Sequence, residues 1–279
     1  MSPVTEQHPD LTAPRVGAPF FSTWRVGTPE RQRRTVEAIG RTWGRRPWPA
    51  GDLLGYHVYA GHDGSTLMHY SQWTGEHAYE SFVKAHRQER VDEIDTAVPG
   101  IERVGLGRYR RYRSRERAVG DARVPGLIVT VRVDFEAGAA QRREEWVDLV
   151  VKALGDDPEG HAGLVSAHFH LSTDGGHVLN YAEWAGADAY DRALAAPSSE
   201  MWERVRTYPG VKGSIGSRYE HALGLVPGCY GRKRRTCGSW SLIWSLNSAL
   251  TCTLSYSKSQ ARRIDGLIRI WSRTWLLPW

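Results

Sequence analysis

The sequence predicts an α+β protein of two tandem β-α-β-β-α-β units whose sheets face one another, and three observations carry that prediction. The first is an internal repeat. The stretch His69-Tyr70-Ser71-Gln72-Trp73-Thr74-Gly75-Glu76-His77-Ala78-Tyr79 returns as Asn180-Tyr181-Ala182-Glu183-Trp184-Ala185-Gly186-Ala187-Asp188-Ala189-Tyr190, with the strand Tyr, the Trp, the Gly and the helix Tyr each displaced by 111 residues. Further out, Asp63-Gly64 answers Asp174-Gly175, His57 answers His168, Pro99-Gly100 answers Pro209-Gly210, and Tyr109 answers Tyr219. The second observation is that hydrophobic periodicity gives both halves the same order of strands and helices. The third is a packing constraint: an antiparallel sheet with helices on one face leaves its other face uncovered, and the duplicated unit supplies the cover.

Residues 1–17 hold three prolines and few apolar side chains, and are expected to be a disordered arm. The first unit, 18–114, opens with a strand at Pro19–Val26. Thr28 and Pro29 then have the chemistry of a helix N-cap and first helical position. Val36, Ile39 and Trp43 continue one apolar stripe until Gly44 and Pro47 end it. Leu53–Tyr59 and Thr66–Trp73 flank the turn signal His62-Asp63-Gly64. A helical stretch covers about Glu76–Ala97, and a strand runs from Ile101 to Tyr112. The polar segment 115–125 reads as a linker, and the arginine run from Arg108 to Arg117 as a solvated strand edge.

The second unit, 126–227, repeats the order. Leu127–Phe135 is a strand rich in β-branched residues. Ala139–Leu154 is a helix with Val147, Val150, Val151 and Leu154 on one stripe, and Leu164–Leu171 and His177–Trp184 flank Asp174-Gly175. Two short helices split by Pro197-Ser198 lead to a last strand, Val211–Ala222. The arrangement is the ferredoxin-like motif.

The net charge of +6 suggests nucleic acid, but its placement argues otherwise. From Gly228 onward nine Lys/Arg face Asp265 alone, so residues 1–227 carry a net −2. No nucleic-acid partner is expected. All three cysteines, Cys229, Cys237 and Cys252, lie in that same tail, so the folded body has no disulfide, thiolate nucleophile or Cys-based metal site. The tail, 228–279, matches neither repeat. It is expected to be unstructured or foreign to the fold; its uncharged Thr236–Ser257 stretch is too rich in Ser and Thr to favour a membrane anchor. The first residues show no basic-then-apolar signal pattern, so a cytoplasmic location is the expectation.

Along a strand, side chains two apart share a face. Asn180, Ala182 and Trp184 therefore point one way, with small Ala182 leaving room between an amide and an indole. Gly186 permits a turn, and Tyr190 falls on the next helix within reach of Trp184. The bland reading of both tryptophans, Trp73 and Trp184, is core packing. Asn180 is more informative, because an amide in an apolar strand needs a partner or a ligand. His168 and His170 share a face but lack a companion carboxylate, so no metal site is expected.

The local pattern Tyr-x-x-Trp-x-x-x-x-Ala-Tyr resembles the antibiotic biosynthesis monooxygenase family over about Phe20 to Leu223. Family members are small ferredoxin-like domains that pair through their sheets as dimeric α/β barrels, so the resemblance implies such a dimer fused within one chain, with further oligomerisation left open. It further implies a cofactor-independent monooxygenase, using O₂ as co-substrate, that oxidises an aromatic polyketide-like phenol or anthrone to a quinone. On that reading Asn180, Trp184, Tyr190 and Arg204 are the catalytic set, and His69, Trp73, Tyr79 and His168 line substrate. Glu93 stands in the first unit where the arginine falls in the second, which favours the second unit as the active one. Haem-degrading relatives carry an iron-ligating His ten residues after the Trp; here those positions are Val83 and Leu194, which argues against haem.

The implied chemistry needs donors for an oxyanion, which the Asn180 amide, Trp184 N–H and Arg204 supply. A phenol with an ordinary pKa near 10 suits Tyr190 to proton donation, whereas His168 or His69 titrates in the range of a base. The alternatives are a non-catalytic protein that binds an aromatic intermediate, and a cyclase or isomerase indifferent to oxygen.

Overall fold

What joins the two units is the last strand of each. The computed structural model describes residues 4–5, 7–49, 51–138 and 140–227. A short β1 (Val4–Thr5) precedes β2 (Ala18–Arg25), α1 (Pro29–Arg45), β3 (Leu53–Gly61) and β4 (Thr66–Trp73). Then come α2 (Glu76–Phe82), a π-helical turn (Val83–Arg87), α3 (Gln88–Ala97) and β5 (Glu102–Arg115). The second unit is β6 (Leu127–Phe135), α4 (Ala140–Asp156), β7 (Leu164–Ser172), β8 (His177–Trp184), α5 (Ala187–Ala195), α6 (Glu200–Arg206) and β9 (Val211–Leu225). The tail from residue 228 lies outside the described residues.

All eight long strands form one antiparallel barrel in the order β9-β3-β4-β2-β5-β7-β8-β6, closed by β6 pairing with β9. β5 pairs with β2 through Arg108 and with β7 from Tyr109 onward, so one strand bridges both units. β9 does the same, lying along β6 up to Tyr219 and along β3 from there to Leu225. Closure satisfies strand edges that two separate sheets would expose. It also corrects the reading of the arginine run: Tyr109–Arg115 is not a free edge but the seam between the units.

Local signals behave as their chemistry requires. Thr28 caps α1, its hydroxyl accepting from the Arg31 N–H at 3.2 Å, and Pro29 begins the helix. Gly64 and Gly175 turn the two hairpins at φ +68° and +83°, a region open to glycine. Among the described residues, no helix is long and apolar enough to cross a membrane.

Strand alternation separates two kinds of core. The outward faces pack on the helices: Phe20, Trp24, Val58, Leu67 and Trp73 under α1 and α3 in the first unit, and Val129, Phe169, Ala182 and Trp184 under α4 and α6 in the second. β9 crosses over, giving Leu223 and Leu225 to the first core. The inward faces fill the barrel with Phe21, Tyr59, Met68, Tyr70, Tyr109, Ile128, Leu179, Tyr181 and Tyr219. The Tyr181 hydroxyl donates to the Tyr59 hydroxyl at 3.0 Å, one unit bonding the other at the centre.

The arm departs from expectation. Residues 7–17 are seated, not loose: Leu11 belongs to the barrel-interior cluster, its carbonyl accepts from Arg111 Nη1 at 2.5 Å, and the Asp10 carbonyl accepts from Gln72 Nε2 at 2.7 Å. The composition argument failed because one apolar side chain suffices when it plugs a barrel end and its neighbours' backbone groups are satisfied there. Leu11→Ala is therefore expected to lower the unfolding free energy by about 2–3 kcal/mol in urea titration, and a change within experimental error would show that the arm is not seated.

The barrel also buries histidines in neutral form. Burial pushes His57 and His168 down to about 3 and His170 and His221 down to about 4. In the unfolded chain a histidine titrates near 6.5, so on acidification the unfolded state takes up protons that the native state refuses. Stability is accordingly full above about pH 6.5 and falls as the pH drops toward 4. Urea midpoints at neutral pH and at two mildly acidic values should show this steep decline; a flat profile across that window would contradict neutral burial.

Candidate functional site

The outward face of β8 carries the predicted polar positions. Asn180 lies between Val131 on β6 and Phe169 on β7, and Trp184 between Leu127 and Leu164, so both sit on the helix side of the sheet. Neither Asn180 Oδ1 nor Trp184 Nε1 has a hydrogen-bond partner, although both atoms are buried. A buried acceptor or donor left unmade costs roughly 1–3 kcal/mol, so two on one face make it a candidate site.

Tyr190 on α5 meets Trp184 edge to face at 5.0 Å. Burial raises its hydroxyl above the ordinary phenol value, with Arg218 opposing the shift, so it is protonated at neutral pH. Arg218 Cζ stands 4.8 Å from the Tyr190 ring while its Nη2 pairs with Asp191 at 2.8 Å. On the other flank, His161 lies 5.2 Å from Trp202, whose Nε1 is also buried without a partner, and 6.4 Å from Trp184.

Arg204 does not join them. It is exposed on α6 and lines two surface depressions of about 560 and 360 Å³, one with Glu145, Asp148 and Tyr208, the other with Asp156 and Glu200. Neither depression reaches Asn180, Trp184 or Tyr190. The cause is helical rotation: Val205 turns into the core, where its carbonyl accepts from Trp146 Nε1 at 3.0 Å, and the preceding residue points about 100° away. The cation beside Tyr190 is Arg218, and its signal was in the repeat, since Arg218-Tyr219 answers Arg108-Tyr109.

His168 is likewise elsewhere. It pairs with Tyr181, which puts it on the inward face of the barrel, behind the sheet from Asn180. Both its ring nitrogens are engaged, Nδ1 with Ser114 Oγ at 2.9 Å and Nε2 with Ser166 Oγ at 3.0 Å. Ser166 Oγ in turn donates to the buried Glu183 at 2.8 Å. Among the described residues, no group of three or more His, Cys, Asp and Glu is placed to hold a metal ion.

In the first unit the three sequence-predicted residues share the outward face and its cover. His69 is 3% exposed, its Nδ1 2.7 Å from the Tyr56 hydroxyl, and its Nε2 has no partner. Trp73 donates to Ser71 Oγ at 3.0 Å and meets Tyr79 edge to face at 5.5 Å. Tyr79 also meets Phe20 at 4.8 Å. Tyr56 was not foreseen; only its position on the same strand face as Val58, which pairs with His69, links it to the site.

No family model matches the chain. The tetracenomycin-F1 monooxygenase of Streptomyces glaucescens is 42% identical over 72 residues, which span 26% of this chain and 62% of that protein. The chain thus covers less than two thirds of that relative's length. A solved structure of an anthrone oxidase-like protein superposes with a TM-score of 0.60 at 14% identity, covering 76% of this chain and 93% of the other. A second, from Lactobacillus acidophilus NCFM, superposes with a TM-score of 0.50 at 10% identity, covering 76% and 97%. At such identities the two structures bear on the fold alone. The sequence relative, the internal repeat and the closed barrel agree with the resemblance to the antibiotic biosynthesis monooxygenase family drawn from the sequence.

Proposed function

We propose that this protein is a cofactor-independent monooxygenase that oxidises an aromatic polyketide-like phenol or anthrone to a quinone with O₂. The observation that carries the reading is the pair of buried, unpaired polar atoms, Asn180 Oδ1 and Trp184 Nε1, on one apolar face beside the neutral phenol of Tyr190. The names of the sequence relative, a tetracenomycin-F1 monooxygenase, and of the anthrone oxidase-like structure favour the same class.

The chemistry asks for little beyond such a face. An anthrone methylene loses a proton to solvent to give an electron-rich anion. That anion passes electrons to O₂ and combines with it as a peroxide, and loss of water leaves the quinone carbonyl. One O₂ is consumed, one oxygen atom stays in the product and the other leaves as water. The Trp184 N–H is a donor for the oxyanion, and the Asn180 carbonyl accepts from a substrate hydroxyl. Tyr190, kept neutral by burial, donates a proton to the peroxide. Arg218 replaces Arg204 as the cation that biases this face toward anions.

The test is incubation of the full chain with a model anthrone, with and without oxygen and with no added flavin or metal. The expected product has gained one oxygen and lost two hydrogens, only when oxygen is present. Trp184→Phe should lower kcat by about 10²-fold, the cost of losing one oxyanion donor. Saturable binding without a mass change would replace this reading with that of an accessory protein; conversion that ignores oxygen would replace it with a cyclase or isomerase.

A further inference from the structure

The flank of Trp184 away from Tyr190 ends in a histidine from outside the sheet. His161 sits in the loop between α4 and β7, its ring 5.2 Å from Trp202 and 6.4 Å from Trp184. Its Nδ1 lies 3.1 Å from the Asp157 carbonyl oxygen. A carbonyl can only accept, so in the neutral ring Nδ1 carries the hydrogen and Nε2 keeps its lone pair. The side chain is 15% exposed, which leaves the ring a path to solvent. Displacement by 111 residues puts Ala50 at this point of the first unit, so the second unit alone has the imidazole.

The loop is fastened to the elements that carry Trp184 and Tyr190. The Gly160 N–H donates to Asp157 Oδ1 at 2.9 Å, and the Leu164 N–H to the His161 carbonyl at 2.8 Å. The Ala185 N–H, one residue past Trp184, donates to the Gly163 carbonyl at 2.9 Å. A Cβ at Gly163 would stand 2.4 Å from Ala189 Cβ, so only glycine lets the loop lie this close to α5, one residue before Tyr190. Arg123 Nη1 donates to the Ala162 carbonyl at 2.8 Å from the segment that joins the two units. Tied to the end of β8 and packed on α5, His161 keeps a fixed place beside Trp184 and Tyr190, as a catalytic group requires. The smaller surface depression, of about 360 Å³, is lined by Asp157 and Met201, so solvent approaches this flank.

We propose that His161 Nε2 is the general base that takes the substrate's methylene proton in the second unit and passes it to solvent. The inference rests on the anthrone-type ligand proposed above but not on its oxidation. The methylene C–H bond breaks and an N–H bond forms at Nε2. The electron pair passes into the ring system and gives an enolate, whose oxygen meets the Trp184 N–H. The imidazolium is held through Nδ1–H by the Asp157 carbonyl, with the Asp157 carboxylate 3.8 Å away, until solvent takes the proton from Nε2. Tyr190, on the other side of Trp184, keeps its separate role as donor to the peroxide. The buried histidines are poorer bases: desolvation holds His69 and His168 down to about 3, and His168 also lies behind the sheet.

Proton removal can be measured apart from oxidation. Anthrone is incubated with the full chain in deuterated buffer without oxygen, and exchange of its methylene protons is followed by NMR. Wild type should exchange them faster than buffer alone. His161→Gln should lower that acceleration by about 10²-fold or more. His161→Ala should lose it as well and regain part of it with added imidazole, which a merely structural role would not allow. Thermal melts establish that each variant is folded. Wild-type exchange no faster than buffer, a His161→Gln rate equal to wild type, or a His161→Ala loss that imidazole leaves unchanged would each overturn the inference. Oxidation alongside exchange that ignores His161 would leave the proposed function standing without this base. Exchange that needs His161, with no oxidation, would keep the base and remove the oxygenase reading.

Discussion

The structure depends on the two bridging strands. β5 and β9 each begin in one unit's pairing and end in the other's, so neither unit has a complete sheet without its neighbour. Closure divides every strand's side chains into an inward set and a helix-facing set and leaves no alternative register, since a slip of one residue would exchange the two. The inward set is dense with rings and locked at the centre by Tyr59 and Tyr181. Leu11 fills what remains from the arm. A barrel so filled is a scaffold, and the function proposed above places its ligand outside the barrel, under the helices.

Much of this was legible because it follows from period and punctuation. β6 and β8 have the bounds that alternation and turn residues dictate, Thr28 caps α1, and Asn180, Ala182 and Trp184 share a face because strand geometry gives them no choice. The long helix expected over Glu76–Ala97 is broken at Val83–Arg87 by a π turn, which no local composition announces. Arg204 and His168 were misplaced for different reasons. The first depended on which side of a seven-residue helix meets the core, settled by Val205; the second on which face of β7 looks inward, settled by register with β8. Tyr56 reaches His69 through the pairing of β3 with β4, and Arg218 reaches the second face through the pairing of β9 with β6, its one hint in the sequence being the repeat of Arg108-Tyr109.

Polar groups inside this protein differ in how fully they are bonded, and although unpaired atoms also occur on the inward face, as at His170 Nδ1, the contrast narrows the choice of candidate site residues. His168 uses both nitrogens, Ser166 links it to Glu183, and the Tyr109 hydroxyl meets His177 Nε2 at 2.9 Å. A network satisfied in this way rigidifies a core and needs no ligand. By contrast, Asn180 Oδ1, Trp184 Nε1 and His69 Nε2 are buried on the helix-facing sides with nothing to bond. Histidines as a class therefore say little here, while the unpaired atom on a particular histidine says a good deal.

The same contrast bears on the duplication. Positions 69 and 180 are equivalent in the repeat, yet one holds an imidazole backed by a phenol and the other an amide backed by Ala167 and Phe169. A purely structural requirement at that point of the sheet would be met by any apolar residue, and in both units the chain instead keeps a polar group whose outer atom is unpaired. The two side chains differ in what they can do: an imidazole can take a proton and an amide cannot, whereas an amide offers a fixed donor and acceptor whose charge does not change with pH. Each face thus retains a polar group at the cost of desolvation, but the groups suit different steps. The shared barrel lets them diverge, because their common inward core is insulated from whatever each outward face binds.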